Sequence, residues 1–183
     1  NFPNLSMVGV DDRAAAYQAV SYLIQQGHRK IAVLGGPATS HPSMMRRQGA
    51  QQAMEDAGIR FEDKLYGLSN YDFESAYHAM NGLLARRAEF TALFAMSDVI
   101  AFGAIRALVS AGLRVPEDVS VIGFDGITMS RYCVPVMTTI VQPSEQIALQ
   151  SIELLVRQIE HGTPAQTVTL QPELQQGESV RAI

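Results

Sequence analysis

The sequence has 183 residues, is 47% hydrophobic and 17% charged, and carries a formal net charge of −4 at pH 7. That length supplies one full core, or one core plus part of another. The acidic balance and the lack of a Lys/Arg stripe argue against this chain gripping a phosphate backbone itself, and no apolar run approaches bilayer length. Lone Cys133 excludes an intramolecular disulfide and fits a reducing compartment. No secretory signal is legible, and the opening Asn1-Phe2-Pro3-Asn4, without an initiator Met, reads as the start of a fragment.

Along the chain, short β-like runs alternate with helical patterns. Residues 7–10 read as the first strand. Asp12 then offers an N-cap, Ala16, Val20, Leu23 and Ile24 form an apolar stripe, and Gly27 suits a left-handed stop. A strand over 30–34 leads into Gly35-Gly36-Pro37, a phosphate-type loop in outline. It lacks the Walker lysine and the GxGxxG spacing, so it reads mainly as a tight turn.

A helix is expected at about 44–57, opened by Arg46 and Arg47 and ended by Gly58. A strand over 64–68 precedes Tyr71-Asp72-Phe73, whose aromatics suit stacking on a sugar ring or a base. The next helix places Ala76, Met80, Leu83 and Leu84 on one face. A strand over 92–95 and a helix over 98–110 follow, the latter with Ala101, Ala104, Ile105 and Leu108 inward and Phe102 off that face. The breaker Gly112-Leu-Arg-Val-Pro116 precedes an apolar strand over 119–124. The irregular segment 126–137 reads as a crossover into a second lobe. It is followed by a strand over 138–141, a helix over 144–160 with Ala148, Ile152, Leu155 and Ile159 in register, and a last strand over 166–170.

This alternation predicts an α/β fold built from right-handed βαβ units around a parallel sheet. Asp98 and Asp125 both fall just past the carboxyl end of a strand, the edge where open α/β sheets bind ligands. Arg46 lies near that edge too, and its planar fork suits vicinal hydroxyls or a carboxylate. His28, His41, His78 and His161 lack metal-ligand spacing, so no metal site is expected. No GxSxG elbow or Ser/His/Asp set is present. Binding groups without a nucleophile or proton shuttle point to a sensor rather than an enzyme, and no cofactor is expected.

Three blocks carry a resemblance. They are Val10-Asp11-Asp12 leading through a helix into Leu23-Ile-Gln-Gln-Gly-His-Arg-Lys-Ile-Ala32, then Ser97-Asp98-Val-Ile-Ala-Phe-Gly103 with Gly112-Leu-Arg-Val-Pro-Glu-Asp-Val-Ser-Val-Ile-Gly-Phe-Asp125, and finally Arg131-Tyr-Cys-Val-Pro-Val-Met-Thr-Thr-Ile-Val-Gln-Pro143. Together they resemble the lac repressor (LacI/GalR) family of bacterial transcription regulators over nearly the whole chain. The resemblance implies a periplasmic-binding-protein-like (type I), Rossmann-like lobe with a parallel sheet, plus part of a second similar lobe. Residues 28–141 and 163–183 would form the C-terminal effector-binding lobe. Residues 1–27 and 142–162 would be the remnant of the N-terminal lobe, and the helix-turn-helix domain would lie outside this sequence.

The same resemblance implies the partners. They are a small-molecule effector (sugar, sugar phosphate, nucleoside or purine), operator DNA reached through the N-terminal domain, and a second copy in a homodimer, with a cytoplasmic location and no membrane. It implies effector contacts at Arg46, Tyr71, Ser97, Asp125 and Asp11. Ser97 stands where the family usually has asparagine, and Gly126 where it commonly has a polar residue. A dimer interface is expected at Phe102, Ile105, Arg106, Tyr132 and Cys133. The competing reading is a periplasmic or ABC-type sugar-binding protein of the same fold.

Overall fold

A computed structural model describes residues 5–87 and 89–183; the opening segment read above as a fragment start, 1–4, lies outside the described residues. Among the described residues eight strands form: β1 (Met7–Val10), β2 (Ile31–Gly35), β3 (Tyr66–Leu68), β4 (Ala92–Ala95), β5 (Ser120–Asp125), β6 (Thr138–Val141), β7 (Thr167–Leu170) and β8 (Glu173–Gln175). Six of them make one sheet in the order β3-β2-β4-β5-β6-β8, and β1 and β7 make a separate parallel pair. The large sheet is parallel except for β8, which runs antiparallel along β6. Its central strands are apolar because both faces are covered: β2 and β4 are buried along their whole length.

The α-helices of the described residues cover the strands: α1 (Asp12–Gln25), α2 (His41–Asp56), α3 (Phe73–Ala85), α4 (Asp98–Ser110) and α5 (Ser144–His161). α1 packs on α2 and α3 on α4, and glycines allow both close approaches. A Cβ on Gly49 would lie 2.0 Å from the Arg13 carbonyl oxygen, and one on Gly103 would lie 2.5 Å from that of Phe73. The core under these layers holds Phe94, Phe124, Leu34, Leu93, Met96, Ile100 and Ile122.

Several expectations need revision. Asp11, not Asp12, caps α1, its Oδ1 accepting the Ala14 N–H at 2.9 Å. α2 starts at His41 with Ser40 as its cap, so Arg46 sits in its second turn. The segment 126–137 is not a crossover between bodies: it turns through a short 3-10 helix, Thr128–Arg131, and delivers β6 beside β5 in the same sheet.

The packing also differs from the expected division of the chain. α1 buries Ala15, Ala16, Ala19, Val20 and Leu23 in the same core as the six-stranded sheet, whereas β7 pairs with β1. α5 buries only Leu154. Its apolar stripe is open to solvent, with Ile152 61% and Ile159 74% exposed. β8 escaped sequence reading because three residues between Pro172 and Gln176 carry no periodicity.

Candidate functional site

The strand order reverses between β2 and β4, because the chain runs outward from β2 to β3 and then returns to β4. Such a reversal opens a crevice at the carboxyl ends of the two strands. Arg46 spans that crevice. It comes from α2, after β2, and its Nη1 donates to the Met96 carbonyl just past β4. Its Nε donates to Asp12 Oδ1 at 2.7 Å, and Nη1 also lies 3.5 Å from Asp125 Oδ1. The guanidinium rests 3.6 Å above the centre of the Phe124 ring. Only 6% of Arg46 is exposed, and these contacts are partners of the kind a buried charge requires.

Asp125 ends β5 with φ +113°, followed by Gly126 at φ +71°. This left-handed pair turns the carboxylate toward α2 and the β6–α5 junction. Asp125 Oδ1 accepts from Gln142 Nε2 at 2.7 Å. Burial pushes the Asp125 pKa above its ordinary value, against the pull of Arg46 and Gln142. Asp125, Gly126, Ile127, Thr128, Gln142, Ser144, Ile147 and Ala148 line an open groove of about 480 Å³ between the end of β5 and α5.

The other expected contacts are placed as follows. Ser97 caps α4, its Oγ accepting the Ile100 N–H at 3.1 Å. Asp98 is wholly buried, and its role is bonding to Thr139 and Ile127 rather than capping. Tyr71 adopts φ +59° and lays its ring across Gly36, where a Cβ would lie 2.1 Å from Cε2. Its hydroxyl is buried without a hydrogen-bond partner. The Gly35-Gly36 turn is therefore a seat for Tyr71. Asp11 is committed to its cap, beside the Asp12 that holds Arg46. The structure thus brings Arg46 and Asp125 together, with Ser97 directly after the Met96 carbonyl that Arg46 holds.

Sequence reasoning missed Asp12, Phe124 and Gln142 as members of the site. Gln142 follows a strand that ends at the ligand edge, a signal that was present. The ring of Phe124 beneath Arg46 was not legible, because an apolar strand residue looks the same above or below a site.

The family description "periplasmic binding protein-like domain" matches residues 20–180, most of the chain. MalR, an HTH-type transcriptional regulator of Clostridium butyricum, is 38% identical over 95% of this chain and 52% of its own length. The chain belongs to the periplasmic-binding-protein-like family, in its LacI branch of transcriptional regulators. Two solved LacI-type structures superpose closely. A transcriptional regulator CelR in complex with cellobiose has a TM-score of 0.93, with 34% identity over 98% of this chain and 55% of that one. A sugar-binding LacI-family regulator from Escherichia coli, complexed with phosphate, has a TM-score of 0.86, with 34% identity over 95% of this chain and 63% of that one. The chain spans about half the length of the curated LacI-type relatives it matches. These likenesses favour the regulator over the periplasmic transport protein, and the relatives are regulators rather than enzymes. Among the described residues no helix is long and apolar enough to cross a membrane.

Proposed function

We propose that this chain is the effector-sensing part of a LacI-type transcriptional regulator and that its effector is an uncharged, polyhydroxylated metabolite such as a sugar or nucleoside. The observation that carries this reading is the Arg46–Asp12–Asp125 cluster at the strand-order reversal, finished by Gln142. One guanidinium faces two carboxylates there, so no net positive charge is left for a phosphate or a carboxylate ligand. Hydroxyl groups suit such a site, because they donate to Asp125 and accept from Arg46. Tyr71 supplies an aromatic ring at the same edge.

The second lobe is built around β1, β7 and α5, whose exposed Leu5, Met7, Ile152, Leu155 and Ile159 await the rest of that lobe in the whole protein. Effector bound between the lobes biases their closure, and it does so only through different affinity for the open and closed states. Closure then resets the DNA-reading domains of a cytoplasmic homodimer. Two-fold contact falls on the surface around Ile105, Val109, Leu113, Val134 and Pro135, which line a groove of about 430 Å³. Tyr132 is 76% and Val134 94% exposed beside it, large apolar exposure of the kind that marks an interface. Arg106 is exposed there too, and Cys133 is half-buried. Phe102 is half-buried against its own core, so its share of that interface is its rim.

Calorimetry on the full-length protein tests the ligand class. Neutral sugars or nucleosides should bind and their phosphate esters should not; tight binding of a phosphate ester alone rejects the charge argument. Sedimentation of Val134→Asp tests the interface, with a shift from dimer to monomer as the expected result.

A further inference from the structure

We propose that Asp98, which touches no solvent, is the positioning residue for Asp125: it holds the turn after β5 in the left-handed conformation that delivers the Asp125 carboxylate to Arg46, Gln142 and the ligand. This rests on the reading of Asp125 as the effector-facing acceptor.

The geometry is specific. Asp98 Oδ2 accepts the Ile127 backbone N–H at 2.8 Å, and Oδ1 accepts the Thr139 hydroxyl at 2.6 Å. The Gly126 backbone also hydrogen-bonds to this carboxylate. Asp98 therefore joins the start of α4 to the turn after β5 and to β6. Asp125 is a non-glycine residue at φ +113°, a region such residues occupy only when the surroundings impose it. Those surroundings are the bonds to the two residues that follow it. Two glycines leave the room this arrangement needs. A Cβ on Gly123 would lie 2.2 Å from Asp98 Oδ1, and one on Gly126 would lie 2.7 Å from Val141 Cγ2.

The carboxylate form is what the turn requires, since an ionised group accepts several hydrogen bonds at once. Burial pushes the Asp98 pKa up to about 6, against the bonds from Thr139 and the turn. The titratable groups facing it are Asp125 at the end of β5 and the Cys133 thiol ahead of β6. β4 contributes only apolar side chains. Proton uptake by Asp98 would remove an acceptor from the turn and release Asp125.

Two measurements on the full chain test this. The first is the crystal structure of Asp98→Asn, whose amide cannot accept on both sides. Asp125 should leave positive φ and its carboxylate should leave Gln142; an unchanged Asp125 overturns the proposal. The second is calorimetry with cellobiose, ribose and cytidine between pH 5 and 8. The wild-type affinity should fall as pH drops through about 6. Asp98→Asn should bind about tenfold more weakly at the upper end, the loss of one charge-assisted hydrogen bond, and should lack that step. Thr139→Val, which keeps the carboxylate and removes one of its donors, should move the step to higher pH. It also serves if Asp98→Asn does not fold. The same pH profile in the wild type and both variants overturns the proposal. If none of the three ligands binds wild-type protein, the reading of function fails instead, and the crystal structure alone decides the role of Asp98.

Discussion

At the scale of single residues, Arg46 shows how a binding group doubles as structure. It neutralises Asp12, closes on the Met96 carbonyl and covers Phe124. Replacing it with Met keeps much of the volume but leaves Asp12 and the Met96 carbonyl without their donor and Asp125 without its counter-charge. Breaking a buried ion pair from one side costs about 3–5 kcal/mol. Asp12 and Asp125 keep some access to water, so Arg46→Met should lower stability by about 3 kcal/mol, read as a lower urea midpoint. Effector binding should be lost in the same variant. The Arg46–Asp125 approach was legible in the sequence, since both residues follow strands of one sheet. The Arg46–Asp12 bond was not, because Asp12 passed for a helix cap when its neighbour Asp11 holds that position. Two adjacent aspartates can trade those roles without any change in pattern.

At the scale of elements, the helix glycines divide by what surrounds them. Gly49 lets α2 meet α1 backbone to backbone, and a Cβ there would press 2.0 Å from the Arg13 carbonyl oxygen. That neighbour is main chain and cannot swing away. Gly49→Ala should therefore cost about 2–3 kcal/mol, at the upper end of overpacking effects. Gly82 lies inside α3 with nothing within 4 Å of a built Cβ. Gly82→Ala should add up to about 1 kcal/mol from helix propensity alone. Thermal or urea unfolding of the two variants should move in opposite directions. The helices and the central strands were legible because burial imposes periodicity. The destination of β6 reads two ways: the irregular connection looks like a link to another lobe, whereas the resemblance puts 138–141 in one lobe with β5, with which it pairs. The membership of α1 was not legible, because its apolar stripe fits any core; only the close contact at Gly49 assigns it to α2.

At the scale of the whole molecule, two buried groups shape stability against pH. Asp98 has its folded pKa raised from 3.8 to about 6. The folded state then binds the proton more tightly than the unfolded chain does. Stability from this group declines as pH rises from about 4 to 6, by on the order of 3 kcal/mol. His28 acts in the other sense. Its ring contacts the Thr91 hydroxyl at 2.9 Å and the Arg181 carbonyl at 3.1 Å, and burial lowers its pKa below 6.5. Its contribution is fully present above 6.5 and is lost as pH falls through the folded value. Urea midpoints should therefore be lowered near pH 6, where the Asp98 contribution is gone and that of His28 is not yet complete. Asp98→Asn should remove the decline on rising from about pH 4 to 6, and His28→Gln should remove the opposing rise toward pH 6.5. Wild-type and Asp98→Asn midpoints that change alike from pH 4 to 6 would count against the Asp98 assignment.

The ring of Tyr71 lying flat across Gly36 has an optical use. This chain contains no tryptophan, so its near-ultraviolet emission comes from tyrosine alone. Tyr71→Trp would place an indole at the rim of the crevice, where arrival of a ligand or movement of the opposite lobe changes its exposure to water. Emission wavelength at that position would then follow occupancy in real time, without a label and without the operator.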